Sequence, residues 1–177
     1  MTTSSSQSTP SRTARALAGI PLALALLSSI VHPAVAQLHQ RTVSEPGPAD
    51  EAKSRRQRQS VDDMVRRHLG TRLRGDTRDL DALQRLLDDD YIRANDVLGQ
   101  QALGVVLADV MVAQLGLDWI VVDDDYGHSR GLRWRKSDQL FFPITMISKR
   151  IQAGERVRVR ALYTIVEDRV KVLRARP

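Results

Sequence analysis

The chain predicts an α+β fold: N-terminal helices, a long buried helix, a three-stranded antiparallel meander, then C-terminal helices. Three observations carry that reading. Apolar residues recur at helical spacing up to Leu115, the period switches to two after Gly116, and the connections between the later strands are short. A parallel crossover needs a dozen or more residues, so short links mean antiparallel neighbours.

The N-terminal stretch carries an address. Arg12 and Arg15 form a positive region, Ala16 to Val31 is an apolar run, and Ala34-Val35-Ala36 has the small-x-small pattern a signal peptidase cleaves. Residues 1–36 therefore read as a signal peptide, cleaved near Ala36, which implies a periplasmic or secreted mature chain without a transmembrane segment. The chain has no cysteine, which excludes a lipid-modified cysteine, a disulfide framework and a thiolate nucleophile. Removing Arg12 and Arg15 from the 27 Lys+Arg leaves 25 against 21 Asp+Glu, a net charge of +4. Residues 37–59 read as a disordered tether, because Pro46-Gly47-Pro48 and the basic run Ser54-Arg55-Arg56-Gln57-Arg58 offer little to bury. Residues 60–177 then form a single domain.

Within that domain, Ser60-Val61-Asp62-Asp63 has the form of a helix cap, and Val61, Met64, Val65 and Leu69 share a face up to Gly70. A second helix is expected from Thr77 to about Asp89 on Leu80, Leu83, Leu86 and Leu87, frayed at its acidic end by the helix dipole. From about Asp96 to Leu115 the apolar positions cover more than one stripe, so this helix is expected to be buried on most sides. Gly99 and Gly104 each cost about 1 kcal/mol relative to alanine in a helix, which makes sense where another element packs close. Gly116 supplies a left-handed cap. Leu117 to Val122 alternates as a strand, Asp123 to Arg130 reads as a turn region, and Leu132–Arg135 and Gln139–Phe142 as two further strands. Pro143 starts a helix along Ile144, Ile147 and Ile151 to Gly154, and a last helix is expected from about Arg160.

Several unrelated residue types then recur in a recognisable order. Leu103-Gly104, Trp119-Ile120-Val121-Val122-x-Asp124-x-Tyr126-Gly127 and Phe142-Pro143-x-Thr145-Met146-Ile147-Ser148-Lys149-Arg150 resemble an uncharacterised bacterial family known only as a domain of unknown function. The resemblance spans about Leu83 to Tyr163. The resemblance implies an α+β fold and a role like that of small bacterial accessory or immunity-like domains, and it transfers no catalytic residue.

The candidate binding residues are Asp123, Asp125, Tyr126, His128, Lys149 and Arg150. Clustered carboxylates on a flexible turn suit a hard cation, but a calcium loop needs alternating acids with glycine sixth and glutamate twelfth. Here Gly127 is fifth and Trp134 twelfth from Asp123, so no metal is assigned. His128 beside Asp125 suits acid–base work, yet no G-x-S-x-G elbow accompanies it. Lys149 and Arg150 suit a carboxylate or phosphate, or else pair with Asp123 to Asp125 across the sheet end. Aromatic residues make up 4% of the chain and sit at expected core positions, leaving no stacking platform for nucleic acid.

These features favour a non-enzymatic interaction or accessory module of the cell envelope, with no cofactor and with an unknown protein or envelope component as partner. The alternatives are a hydrolase or ligand-binding protein centred on Asp123, Asp125, Tyr126, His128 and Lys149, and a polyanion or envelope-surface binder acting through Arg55, Arg56 and Arg58 in the basic tether.

Overall fold

A computed structural model describes residues 41–175, and the signal-peptide reading of residues 1–36 lies outside them. The described order is β1 (Thr42–Ser44), α1 (Pro48–Leu69), α2 (Asp79–Asp88), α3 (Val97–Leu115), β2 (Leu117–Asp124), β3 (Gly127–Trp134), β4 (Leu140–Phe141), α4 (Pro143–Gln152) and α5 (Val159–Arg174). The α+β class and the element order from Thr77 onward agree with the sequence patterns. The sheet has four strands rather than three, all antiparallel, in the order β1-β2-β3-β4.

The tether expectation is overturned for the described part of residues 37–59. That segment supplies the edge strand β1 and the first half of α1. Its signals were helix signals: Gly47 is an extended N-cap, Pro48 occupies the first turn, Asp50 and Glu51 follow, and Arg66, Arg67 and His68 close the last turn before left-handed Gly70. Ser60, expected as a cap, lies inside the helix. Only Ser54, Val61 and Val65 of α1 are buried, so hydrophobic periodicity could not reveal its first three turns. Polar contacts hold that half instead: Arg58 grips Asp109 of α3 through two donors, and the Ser54 hydroxyl accepts from Arg130 of β3.

The helix α3 forms the centre, packed by α1, α2, α4 and α5 and by β2 and β3. It is long and apolar enough to cross a membrane by length and composition, and Leu103, Val105, Leu107, Ala108, Val110 and Met111 are fully buried within this domain. Asp96 caps it by accepting from the Gly99 amide at 2.9 Å. The glycine at 104 has the expected purpose: a Cβ there would lie 2.4 Å from the Ile144 carbonyl oxygen, so its absence lets the first turn of α4 abut α3. Gly131 does the same on β3, where a Cβ would meet the Phe141 carbonyl at 2.9 Å.

The expected turn at Asp123 to Arg130 shrinks to Asp125 and Tyr126. Asp124 faces Gly127 in register, and Asp123 faces His128. Polar composition suggested a loop, but paired strands tolerate charge where a sheet end reaches solvent. The turn chemistry follows expectation: Asp124 accepts from the Tyr126 amide at 2.9 Å and Gly127 adopts φ +106°.

Candidate functional site

Alternation along β3 places His128, Arg130, Leu132 and Trp134 on one face, opposite Asp123, Val121, Trp119 and Leu117 of β2. Leu117, Val121, Leu132 and Trp134 are core residues, and α1 and α3 provide polar partners for Trp119, His128 and Arg130. Trp119 donates to Asp109 at 3.2 Å, while the Arg58 guanidinium lies 5.9 Å from its ring centre. Asp109 thus joins α3 to both α1 and β2. Asp109 raises the pKa of Arg58, through its hydrogen bond first and its charge as well, against burial, which lowers it.

Next along the face comes Arg130, 9% exposed. It donates to the Ser54 hydroxyl and, at 2.7 Å, to the Gln57 side-chain oxygen Oε1, both on α1. Burial lowers its pKa from the ordinary value, countered by the charge of Asp50 and reinforced by that of Arg58. At the sheet end, His128 lies between two carboxylates, with Nδ1 2.7 Å from Asp123 and Nε2 2.9 Å from Asp50 in the first turn of α1. Both contacts raise its pKa, that of Asp50 more than that of Asp123.

This arrangement sets a pH dependence. A raised folded-state pKa means that the His128 contribution is fully present below the ordinary imidazole value of 6.5 and lost as pH rises through the raised value. The margin in urea midpoint between wild type and His128→Asn is expected to be largest near about pH 6 and to shrink by about pH 9. A margin that grows with pH contradicts the charged pairing.

A cleft of about 510 Å³ opens beside this end, lined by Lys53, Gln101, Tyr126, His128, Ser129, Arg130, Phe142, Ile144, Thr145 and Lys149. Three expected residues, Tyr126, His128 and Lys149, therefore share one concave surface. Asp123, Asp125 and Arg150 are not in its lining. The alternative in which Lys149 or Arg150 pairs with Asp123 to Asp125 is not seen at Asp123 or Arg150: Asp123 takes His128, while Arg150 lies 3.9 Å from Glu155 and donates to the Met146 carbonyl at 3.1 Å. Tyr126 at the hairpin tip is 94% exposed.

Lys53 and Arg130 were missed. The signal for Arg130 was readable, since it shares the period-two face of Leu132 and Trp134, where an arginine must be buried. Lys53 carries no such signal, because the polar composition of its helix reads as a tether. The polyanion reading through a flexible basic tether also changes. Arg58 is committed to Asp109, Arg55 lies 3.6 Å from Glu51, and both are carried on a folded helix.

In class, the protein is a small α+β domain whose helices pack around a central helix and a four-stranded antiparallel sheet. Residues 79–163 match the family model described as Domain of unknown function (DUF3806), in agreement with the resemblance to an uncharacterised family. The match takes in His128, Arg130 and Lys149 but not α1 with Lys53. No curated protein matches the chain. A crystal structure from Bacteroides thetaiotaomicron VPI-5482 at 1.50 Å resolution shares the fold, with a TM-score of 0.69 at 15% identity. That likeness covers 74% of this chain and 48% of the other, so the chain spans about half the length of that protein.

Proposed function

We propose that the chain is an exported bacterial, non-enzymatic interaction module that receives an anionic partner of the cell envelope at the cleft beneath Tyr126. The observation that carries this reading is the lining itself: Lys53, His128, Arg130 and Lys149 contribute to it, and among the described residues no carboxylate does. Asp50 and Asp123 offset the charge of His128 from outside the lining, so the attraction rests on the two lysines and Arg130.

Several features support a binding role over a hydrolytic one. Both ring nitrogens of His128 are engaged by carboxylates, which leaves neither poised to take a proton from a substrate. An exposed tyrosine on a tight hairpin offers contact area at low entropic cost, as in many recognition surfaces. Export rests on the basic, apolar and Ala-x-Ala pattern of residues 1–36.

Retention of envelope components by the purified protein tests the reading. Wild type is expected to retain an anionic component in a salt-sensitive manner, and Lys53→Glu with Lys149→Glu to reduce retention at least tenfold. Both side chains are exposed, so charge reversal leaves the core intact. Equal retention by wild type and the double variant overturns the proposed surface.

A further inference from the structure

We propose that Arg130 is the receptor for a single oxyanion group, a carboxylate or phosphate, presented by a ligand that enters the Lys53–Lys149 cleft. This rests on the binding reading above and specifies the chemistry of its ligand.

The inference starts from how this chain treats its other arginines. Arg58 has Asp109, Arg66 has Asp62 at 2.6 Å, and Arg160 has Asp81 at 2.9 Å, although all three are more exposed than Arg130. Among the described residues, Arg130, nine-tenths buried, has only neutral acceptors, a serine hydroxyl and an amide oxygen. Burying a charge without a counter-charge is costly, and a guanidinium stays protonated at any physiological pH. Asp50 acts on Arg130 through its charge, but its hydrogen-bonding oxygen is 2.9 Å from His128. Ser54 and Gln57 take two of the five donors of the guanidinium and fix its plane. A planar, preset fork matches an oxyanion through two parallel hydrogen bonds.

The surroundings complete the fit. Lys53 and Lys149 bring two further cations to the same cleft, Ser129 and Thr145 bring hydroxyl groups, and the volume lies in the range of small-molecule sites. Thr145 belongs to the first turn of α4, whose N-terminal dipole favours negative charge. A second cleft of about 350 Å³ also reaches Arg130, from the side of Pro46, Arg55 and Trp119. Arg55 and Arg58 also line that cleft, but carboxylates already pair with them, Glu51 at 3.6 Å and Asp109. The described lining of the Lys149 side holds no carboxylate, so entry is assigned there.

The test is a titration of the protein with inorganic phosphate and, separately, with succinate, followed by NMR at constant ionic strength with chloride as control. Saturable shifts at the Arg130 side chain and at the Ser129 and Thr145 amides are expected with at least one probe. Which probe saturates identifies the source of the oxyanion. Arg130→Gln is expected to weaken binding at least tenfold, Lys149→Ala about threefold, and Arg55→Ala not at all. If Arg130→Gln fails to fold, the exposed pair Lys53→Ala and Lys149→Ala decides: weakened binding supports the site, and unchanged binding overturns it.

The proposal also falls if neither probe saturates, if chloride gives the same shifts, or if Arg55→Ala weakens binding while Lys149→Ala does not. Envelope retention without oxyanion binding removes the Arg130 receptor and keeps the interaction surface. Oxyanion binding without envelope retention does the reverse.

Discussion

Gly104→Ala is expected to lower the unfolding free energy by about 2 kcal/mol, against the roughly 1 kcal/mol that alanine gains over glycine in a helix. The new Cβ would sit 2.4 Å from the carbonyl oxygen, 2.6 Å from the Cα and 2.8 Å from the carbonyl carbon of Ile144. These are backbone atoms, which cannot rotate aside, so the whole first turn of α4 must retreat from α3. Retreat loosens Ile144 and Ile147, both buried, and displaces Thr145 at the rim of the cleft. Gly99 is a useful contrast. Its added Cβ would meet side-chain atoms of Asp96 and Ile92, so the cost there is a rearranged cap rather than a moved helix. Urea unfolding of Gly104→Ala decides the matter, since unchanged or increased stability would mean that α3 and α4 are not in backbone contact.

The second large effect is expected at Asp79. This carboxylate is 3% exposed and accepts from the Arg74 amide at 2.9 and 3.0 Å and from the Gly75 amide at 2.7 Å. It binds the loop after α1 to the first turn of α2, where its negative charge also suits the helix dipole. Hydrogen bonds to a charged group contribute more than neutral ones, so Asp79→Ala is expected to cost about 2 kcal/mol. Asp79→Asn keeps an acceptor oxygen without the charge and is expected to cost about half as much. Equal losses for the two variants in urea titrations would show that the carboxylate charge contributes nothing to the loop.

The later part of the fold was legible because apolar residues marked it. Leu80, Leu83 and Leu86 define α2, the nearly all-apolar face set of α3 defines the central helix, and Leu132 with Trp134 defines β3. The first turns of α1 were not legible, for a physical reason. Their inward face is Asp50, Ser54, Gln57 and Arg58, and such residues look solvated unless their partners are known. Those partners, His128, Arg130 and Asp109, lie 51 to 78 residues away in the chain. Half of the candidate site was hidden with that helix. Tyr126, His128 and Lys149 could be named from a local signature, whereas Lys53, and the role of Arg130, depended on where α1 docks.

By itself, the sequence determined the α+β class, the helices from Thr77 onward, the close-packing purpose of Gly104, and the Asp-Tyr-Gly hairpin. Each of these follows from local spacing or from a single residue's backbone freedom. Only the tertiary structure decided that residues 42–59 are folded, that His128 rather than Arg150 takes Asp123, and that Arg130 is buried against neutral partners. Those outcomes depend on which polar groups meet across long chain separations. Hydrophobic periodicity records which face of an element is buried, but it carries no information about which polar partner will be waiting there.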